Sequence, residues 1–232
     1  LISINEPTPD YTSFLGGDLK GVRIGVPTDA WLWEREIEDI EVLVREAVKV
    51  LAGLGAEIVE VSLAKAANCR PTSFAINRPE AAVYWTEKFG EEVLQGWHEI
   101  YPGVLQGRQA TFTDFLHAQY TAAEIEQELV AVLKQCDLLA FPTGSTHGDK
   151  ADATTAIIRG KEVPARSRAV YLNGLASLTG YPAMSVPCGF AASDGMPVGL
   201  QLSGSKLEEG LMLRAAYAYE QATDWHKRFP AL

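Results

Sequence analysis

Cysteines and long apolar runs are scarce in this sequence, and their scarcity excludes several kinds of site. The 232 residues include three cysteines, Cys69, Cys136 and Cys188, which are odd in number, far apart and outside any CxxC spacing. That pattern supports neither a disulfide framework nor a zinc site, and Cys136 and Cys188 are expected to be buried and inert. No apolar run approaches the roughly 20 residues of a membrane-spanning helix, and no signal-peptide pattern is present. A reducing cytoplasm is the expected location.

Basic residues are also in the minority. Asp and Glu number 30 and Lys and Arg number 20, which gives a formal net charge of −10. Because nucleic acid and anionic membrane surfaces repel an acidic protein, neither is expected as a partner. The acidic side chains concentrate on stretches of helical periodicity, where solvated surface is the expected role.

The motifs of nucleotide binding and of hydrolase nucleophiles are missing. Neither G-x-G-x-x-G nor a P-loop occurs, so no cofactor is expected. The elbow G-x-S-x-G exposes its serine on a tight turn, whereas residues 144–148 read GSTHG, with Ser145 one place too early. The four histidines lack the i, i+4 spacing of a zinc protease, and His147 is favoured as an ordinary loop residue. The residues alone assign no catalytic group and no metal ligand.

The first part of the chain predicts a strand–helix–strand unit. Residues 21–27 (GVRIGVP) alternate apolar positions inside a Gly/Pro frame, which predicts a strand. Residues 34–54 repeat apolar side chains every three or four positions, which predicts an amphipathic helix that Gly55 caps. Residues 56–63 (AEIVEVSL) alternate again as a strand. A βαβ unit of this spacing predicts parallel pairing.

Helices are expected over most of residues 64–135. Pro79 interrupts one of them, and Thr113 is the expected N-cap of the clearest one, over residues 111–135. The side of that helix expected to be buried comprises Leu116, Tyr120, Ile125, Leu129 and Leu133.

The last hundred residues predict strands again. CDLLAFPT (136–143) reads as a short apolar strand, followed by a polar loop over 144–165 and a helix that ends at Gly180. Residues 178–190 and 194–202 predict a hairpin, and residues 208–225 a closing helix. Together the elements predict an α/β fold with a mixed central sheet flanked by helices. We expect a single domain segment over residues 1–232, of which 1–15 are linker-like.

Several stretches, taken together, resemble one protein family. LTGYPAMSVPCGF (178–190), DGMPVGLQLSG (194–204) and LEEGLMLRAAYAYEQATDWHKRFP (207–230) are similar to the C-terminal end of the amidase signature family. DLKGVRIGVP (18–27), GRQATFTDFLHAQ (107–119) and CDLLAFPT (136–143) resemble earlier segments of the same family, in the same order. That family includes aliphatic and aryl amidases and the A subunit of the glutamyl-tRNA amidotransferase.

The resemblance implies an α/β/α fold around a mixed sheet and hydrolysis of a small-molecule amide. The family's chemistry uses a Ser nucleophile, a second Ser in a cis peptide and a Lys, with backbone N–H groups of a Gly/Ser-rich loop as oxyanion hole. These groups belong to the N-terminal half of such enzymes, and this chain holds no matching Gly/Ser-rich segment. The chain, which begins with Leu1 rather than Met, is therefore expected to be the C-terminal half of an amidase and inactive alone. No catalytic residue is carried over.

The resemblance also implies that this half supplies one wall of the substrate pocket. The residues assigned to that wall are Phe141, Thr143, Gly144, Ser145, Tyr171 and Ser177. Packing roles fit Phe141 and Tyr171 at least as well.

Departures from the family's pattern bear on the substrate. Ser177 stands where the family commonly carries Asn, and Val170 stands where the amidotransferase subunit carries an Asp for its glutamine amine. The family's Arg pattern before Gly107 is also absent. These departures favour an ordinary amidase of unknown substrate.

Two alternatives stay open beside an amidase half. One is a non-catalytic module derived from the fold, which binds a small molecule or a partner. The other is a segment of an amidotransferase A subunit, which Val170 weakens. Because a half-sheet exposes unpaired backbone and apolar surface, the chain is expected to bind its missing half or to self-associate.

Overall fold

A mixed sheet of five strands forms the centre of the protein. The computed structural model describes residues 6–34, 38–98, 100–145, 152–164 and 173–228. In chain order the strands are β1 (Arg23–Pro27), β2 (Glu57–Val61), β3 (Leu138–Pro142), β4 (Thr155–Ile158), β5 (Lys161–Pro164), β6 (Ala183–Phe190) and β7 (Pro197–Gly204). The five-stranded sheet has the order β2-β1-β3-β7-β6, and β4 and β5 form a separate antiparallel pair. β1 is parallel to β2 and β3, whereas β7 is antiparallel to β3 and β6.

Helices connect and cover these strands. In chain order they are α1 (Ala30–Trp33), α2 (Glu38–Gly53), α3 (Cys69–Phe89), α4 (Glu91–Gln95), α5 (Tyr101–Gln109), α6 (Phe112–Val132), α7 (Asn173–Thr179) and α8 (Glu209–Ala222). Short 3-10 turns lie at Tyr11–Phe14, Ala64–Asn68 and Trp225–Lys227. The predicted class, a mixed sheet flanked by helices, is confirmed.

The predicted strand–helix–strand unit is confirmed as β1, α2 and β2. Four apolar side chains of α2 at helical spacing are buried: Ile40, Val44, Ala47 and Leu51. Gly55 follows the helix with φ +101°, a left-handed conformation that a glycine adopts without a Cβ clash. β1 and β2 pair in parallel from Arg23 opposite Glu57 onward.

The two connections between parallel strands run in opposite directions along the sheet. The chain goes from β1 through α2 to β2 on one side, and then from β2 through α3–α6 to β3 on the other side of β1. Since such crossovers are right-handed, α2 and the block α3–α6 lie over opposite faces of the sheet. α8 packs with α2, and both contact β6 and β7.

The helical block differs from the prediction in three details. α3 continues through Pro79 instead of breaking there. The N-cap of α6 is Thr111 rather than Thr113, because Thr111 Oγ1 accepts from the Asp114 N–H while the Asp114 carboxylate accepts from the Thr111 N–H. Tyr120, expected on the buried side of α6, is 64% exposed. Ile125 and Leu129 are buried as expected, and Ala118 and Val132 complete the buried side.

The C-terminal elements agree largely with the prediction. α7 ends before Gly180, which has φ +70°, and β6 and β7 form the expected hairpin. The predicted loop over 144–165 is wrong in part, because β4 and β5 pair within it. β6 ends the sheet order of the described residues, and its outward-facing Ala183, Ser185 and Pro187 are exposed.

Candidate functional site

The carboxyl end of β3 lies where the sheet's connections diverge. β1 and β3 are adjacent parallel strands. β1 continues into α1 and α2 on one face of the sheet, whereas α7, which follows β3 in the chain, packs against α3 and α6 on the other face. In open α/β sheets, ligands bind outside the carboxyl ends of the strands at such a point, because diverging connections leave a crevice. Pro27 ends β1 and Pro142 ends β3 at this edge, so the residues from Thr143 onward begin at the carboxyl end of the sheet.

Two hydroxyl groups meet across β7 at this end of the sheet. Thr143 follows β3 and donates its N–H to the Gly199 carbonyl oxygen of β7 at 2.9 Å. Its Oγ1 lies 2.6 Å from Ser185 Oγ of β6, on the far side of β7. We call this pair the hydroxyl bridge. Ser185 is exposed, so the bridge reaches the surface.

Gly199 is what permits the hydroxyl bridge. A Cβ at this position would lie 2.5 Å from Ser185 Oγ and 2.8 Å from Thr143 Oγ1, closer than real Cβ atoms approach. The two flanking strands therefore exchange a hydrogen bond over Gly199, a position of β7 without a side chain.

Gln201 lies beside the hydroxyl bridge on the same face. It pairs with Phe141 of β3 and with Ser185 of β6, and directly paired residues share a face. Gln201 is 4% exposed, and among the residues that the structure describes its Nε2 finds no hydrogen-bond partner. Ser203, two residues further, is also buried, but its Oγ donates to the Pro182 carbonyl oxygen at 2.8 Å.

The six residues assigned to the pocket wall fall in different places. Phe141 is buried in the core of the sheet, at 1% exposure, as its packing role predicts. Thr143 and Gly144 are half-buried and Ser145 is buried, in succession at the carboxyl end of β3. Ser177 is exposed on α7. Tyr171, like His147 and Val170, lies outside the described residues.

Sequence reasoning missed Ser185, Gly199 and Gln201 as candidates. The stretch 194–204 did contain a signal, since a Gln and a Gly interrupt an otherwise apolar strand. Gly inside a strand often marks a close approach of another group, and a buried amide calls for a partner. The strand order that brings Thr143 and Ser185 to either side of Gly199 is not encoded in any local motif.

None of the cysteines is an activated nucleophile. All three are free and buried. Burial raises the pKa of the Cys69 thiol and of the Cys188 thiol to about 12 each, and it also raises the pKa of Cys136. Since the thiolate is the reactive form, these groups are inert near neutral pH. The expectation of buried, inert thiols at Cys136 and Cys188 is confirmed.

The described residues form neither a metal-binding cluster nor a membrane-spanning helix. Among those residues, no group of three or more His, Cys, Asp or Glu side chains could hold a metal ion. Within the same ranges, no helix is long and apolar enough to cross a membrane.

Comparison with protein families and curated proteins gives consistent matches. The family model named Amidase matches residues 2–213. The A subunit of the glutamyl-tRNA(Gln) amidotransferase of a Cyanothece strain is 34% identical over 258 residues, which cover 99% of this chain and 51% of that protein. An amidase of Pseudomonas putida is 33% identical over 243 residues, covering 99% of this chain and 49% of that protein. The chain thus spans about half the length of the curated relatives it matches.

Solved structures share the fold. A crystal structure of an amidase superposes with a TM-score of 0.78 at 27% identity, covering 89% of this chain and 46% of that one. A structure from work on a vestigial protein complex and the origins of an s-triazine catabolic enzyme has a TM-score of 0.83 at 22% identity, covering 94% and 47%. The family match and the resemblance of the motifs agree, and the chain belongs to the amidase signature family.

Proposed function

We propose that this chain is part of an amidase that hydrolyses carboxamide C–N bonds, and that it supplies sheet scaffold and one wall of the substrate pocket. The hydroxyl bridge between Thr143 and Ser185 carries the proposal, because it places neutral hydrogen-bonding groups at the carboxyl end of β3. Family membership supports the reaction class.

In this proposal, the nucleophile and its base come from the other half of the amidase fold, which is the half of the relatives that this chain does not cover. An activated serine needs a base within hydrogen-bond reach. The described hydroxyls at the site contact each other instead of a basic side chain, and the buried thiols stay protonated near neutral pH. The relatives' other half is long enough to carry a catalytic apparatus, since the chain covers about half of each.

The pocket wall, in this proposal, consists of Thr143, Gly144 and Ser145, with Ser177 and Tyr171 as further members. Phe141 supports them from the core, where it pairs with Gln201 of β7. The amide substrate is a small molecule, and the cytoplasm is the proposed location.

An amidotransferase A subunit is the second candidate. The similarity to the Cyanothece subunit, at 34% identity, supports it as strongly as the 33% identity to the Pseudomonas putida amidase supports the first. Val170 argues against a glutamine amine site. Ammonia release from glutamine, compared with release from acetamide and benzamide, separates the two candidates in the experiment below.

The experiment replaces the matching half of the Pseudomonas putida amidase with this chain. We expect the chimera to release ammonia from simple carboxamides. Thr143→Val, which removes one hydroxyl of the bridge, should lower kcat/KM for amides by about tenfold, the worth of one hydrogen bond of roughly 1.4 kcal/mol. Glu60→Gln, on the edge strand β2, is the control and should leave kcat/KM unchanged. A soluble, folded chimera without amidase activity would overturn the proposal, as would full activity in Thr143→Val.

We propose that the other half of the fold docks at β6. This strand is one of the two edges of the described sheet, β2 being the other. A further strand would pair with the part of β6 before Pro187, since proline lacks an N–H. In the absence of that half, the exposed edge should lead the chain to self-associate. Sedimentation velocity of the 232-residue chain measures this, and a monodisperse monomer at all concentrations would contradict it.

A further inference from the structure

The hairpin formed by β4 and β5 stands apart from the central sheet. Its strands pair with each other from Thr155 opposite Pro164 to Ile158 opposite Lys161, and among the described strands neither pairs with the five-stranded sheet. Within the described ranges, β4 and β5 pack extensively only against each other. Because a two-stranded hairpin is at best marginally stable by itself, its position depends on a few contacts with the rest of the protein.

The hairpin crosses the carboxyl end of the sheet from one face to the other. It follows β3 and precedes α7, which packs against α3 and α6 on one face. Its tip reaches the first turn of α2 on the other face, where Arg159 forms an ion pair with Glu41. That turn of α2 lies at the carboxyl end, because Asp39 accepts from the N–H of Ser193 in the connection between β6 and β7 at 3.0 Å. The hairpin therefore lies over the edge at which the proposed pocket wall begins.

Few contacts hold the hairpin in this position. Ile158 and Val163 on one of its faces are half-buried, whereas Ile157 on the other face is 60% exposed. Among the described residues, Arg159 makes the only ion pair between the hairpin and the rest of the protein. Its partner Glu41 also accepts from Arg45 Nε at 2.9 Å, so release of Arg159 leaves no carboxylate unpaired. The hairpin is thus able to detach without disturbing the sheet.

The backbone of Arg159 indicates that its side chain is kept for this contact. Arg159 and Gly160 form the two-residue turn of the hairpin, with φ +46° and +75°, the positive values of a type I′ turn. Such a turn favours Asn or Gly in its first position, and an arginine is strained there because of its Cβ. The requirements of the turn therefore favour Asn-Gly, and the ion pair with Glu41 accounts for an arginine in its place.

We propose that the β4–β5 hairpin is a lid over the carboxyl end of the sheet, and that the ion pair between Arg159 and Glu41 is the latch that holds it closed. An ion pair whose partners are partly exposed is weak and is screened by salt, so the lid opens transiently and opens more at high salt. Opening gives access to the end of β3, where Thr143, Gly144 and Ser145 follow one another. The passage of substrate beneath the lid rests on the proposed function, whereas the lid and its latch do not.

The distance between the hairpin and the block α3–α6 tests the lid in the 232-residue chain. Nitroxide labels are attached at Ile157→Cys and Val83→Cys, which replace side chains that are 60% and 62% exposed. The native cysteines are buried and take up no label. Pulsed electron paramagnetic resonance, with labelled chain diluted in unlabelled chain, then gives the distance distribution within one molecule. We expect one narrow distribution at low salt, and a broader one that includes longer distances in Arg159→Asn and in Glu41→Gln.

Glu46→Gln is the matched control for the latch. Glu46 lies on the same helix and pairs with Lys49 instead of the hairpin, so its replacement should leave the distribution narrow. Roughly 1 M NaCl should broaden the distribution of the wild type and leave that of Arg159→Asn as it is. Identical distributions in the wild type and in Arg159→Asn, or equal broadening in Glu46→Gln, would overturn the inference.

Arg159→Asn also separates a latch from a role in folding the hairpin. Asn-Gly is a favoured type I′ turn, so this variant keeps the hairpin and removes only the charge. Hydrogen exchange of the β4 and β5 amides should therefore be unchanged or slower than in the wild type. Faster exchange would show that Arg159 holds the two strands together instead of holding the hairpin against α2, and would overturn the latch.

The chimera described above distinguishes the lid from the proposed function. We expect Arg159→Asn to raise KM for amides by up to about fivefold, the limit for one partly exposed ion pair. An inactive chimera, together with a distance distribution that Arg159→Asn broadens, would overturn the proposed function and leave the lid standing. An active chimera in which Arg159→Asn changes neither KM nor the distribution would overturn the lid and leave the proposed function standing. A broadened distribution with unchanged KM in an active chimera would overturn the passage of substrate beneath the lid.

Discussion

Gly107 lies at the contact between α5 and α3 and permits the two helices to touch backbone to backbone. A Cβ at Gly107 would lie 2.1 Å from the Arg78 carbonyl oxygen, 2.5 Å from its carbonyl carbon and 3.0 Å from the Pro79 nitrogen. A carbon–oxygen contact normally exceeds roughly 3.3 Å. Gly107→Ala therefore forces α5 to move away from α3 by about 1 Å, since backbone atoms, unlike a side chain, cannot rotate aside.

The magnitude follows from two opposed effects. Overpacking of this kind costs about 1–3 kcal/mol, and the higher helix propensity of alanine returns up to about 1 kcal/mol. Because the opposing atoms are backbone, the overpacking cost lies at the upper end of that range, and we expect a net loss of about 2 kcal/mol in the free energy of unfolding. The move also opens the small apolar cluster formed by Ala82, Leu94 and Val104.

Gly103, one turn earlier on the same helix, is the matched control. The nearest atom to its Cβ position is Arg78 Nε at 3.9 Å, the end of a flexible side chain. Gly103→Ala should therefore stabilise the chain by about 0.5–1 kcal/mol. Urea unfolding, followed by circular dichroism and by the fluorescence of the Trp85–Trp97 pair, measures both changes. Equal stability of the two variants would refute the backbone contact.

Three further predictions concern polar contacts. Asp137→Asn should cost about 1–2 kcal/mol by urea unfolding, a value reduced for partial exposure, because Asp137 accepts from the Arg23 backbone N–H at 2.8 Å and from its Nη2 at 2.7 Å; an unchanged midpoint would contradict this. Thr111→Ala removes the N-cap of α6 and should cost about 1 kcal/mol in the same assay, whereas an unaltered free energy would show that the cap is dispensable. Hydrogen bonding to Arg108 lowers the pKa of Glu91 to about 2, so its contribution is fully present above its ordinary pKa of 4.5 and lost as pH falls through about 2. The stability difference between wild type and Glu91→Gln should therefore shrink over that acid range, and a constant difference would exclude the pairing.

Local patterns were sufficient for most of the elements. The 3.6-residue period of α2 and the alternation in β1 and β2 indicate that one face of each element is buried. This requirement is local and does not depend on the order of the strands in the sheet. Pro79 illustrates the limit. Proline usually ends a helix because it removes one hydrogen bond, but here the packing of α5 against its backbone holds α3 together. Likewise Thr111 and Thr113 are both possible caps by residue type, and only Asp114 three residues after Thr111 completes a capping box.

The candidate site depended on information that no local pattern holds. The Pro-Thr end of β3 indicated Thr143, and the resemblance to a family indicated a pocket wall. The partner Ser185 comes 42 residues later in the chain and meets Thr143 only because β7 lies between β3 and β6 with a glycine at the crossing. Long-range register of this kind depends on the whole sheet, so sequence reasoning could name one side of the hydroxyl bridge and not the other.

The central claim is that this chain supplies a pocket wall of an amidase and not its nucleophile. Ammonia release from acetamide and benzamide by the purified 232-residue chain alone tests it most directly. We predict no release above the protein-free blank, together with activity when the chain replaces the matching half of the Pseudomonas putida amidase. Turnover by the chain alone, abolished by a substitution within it, would contradict the claim.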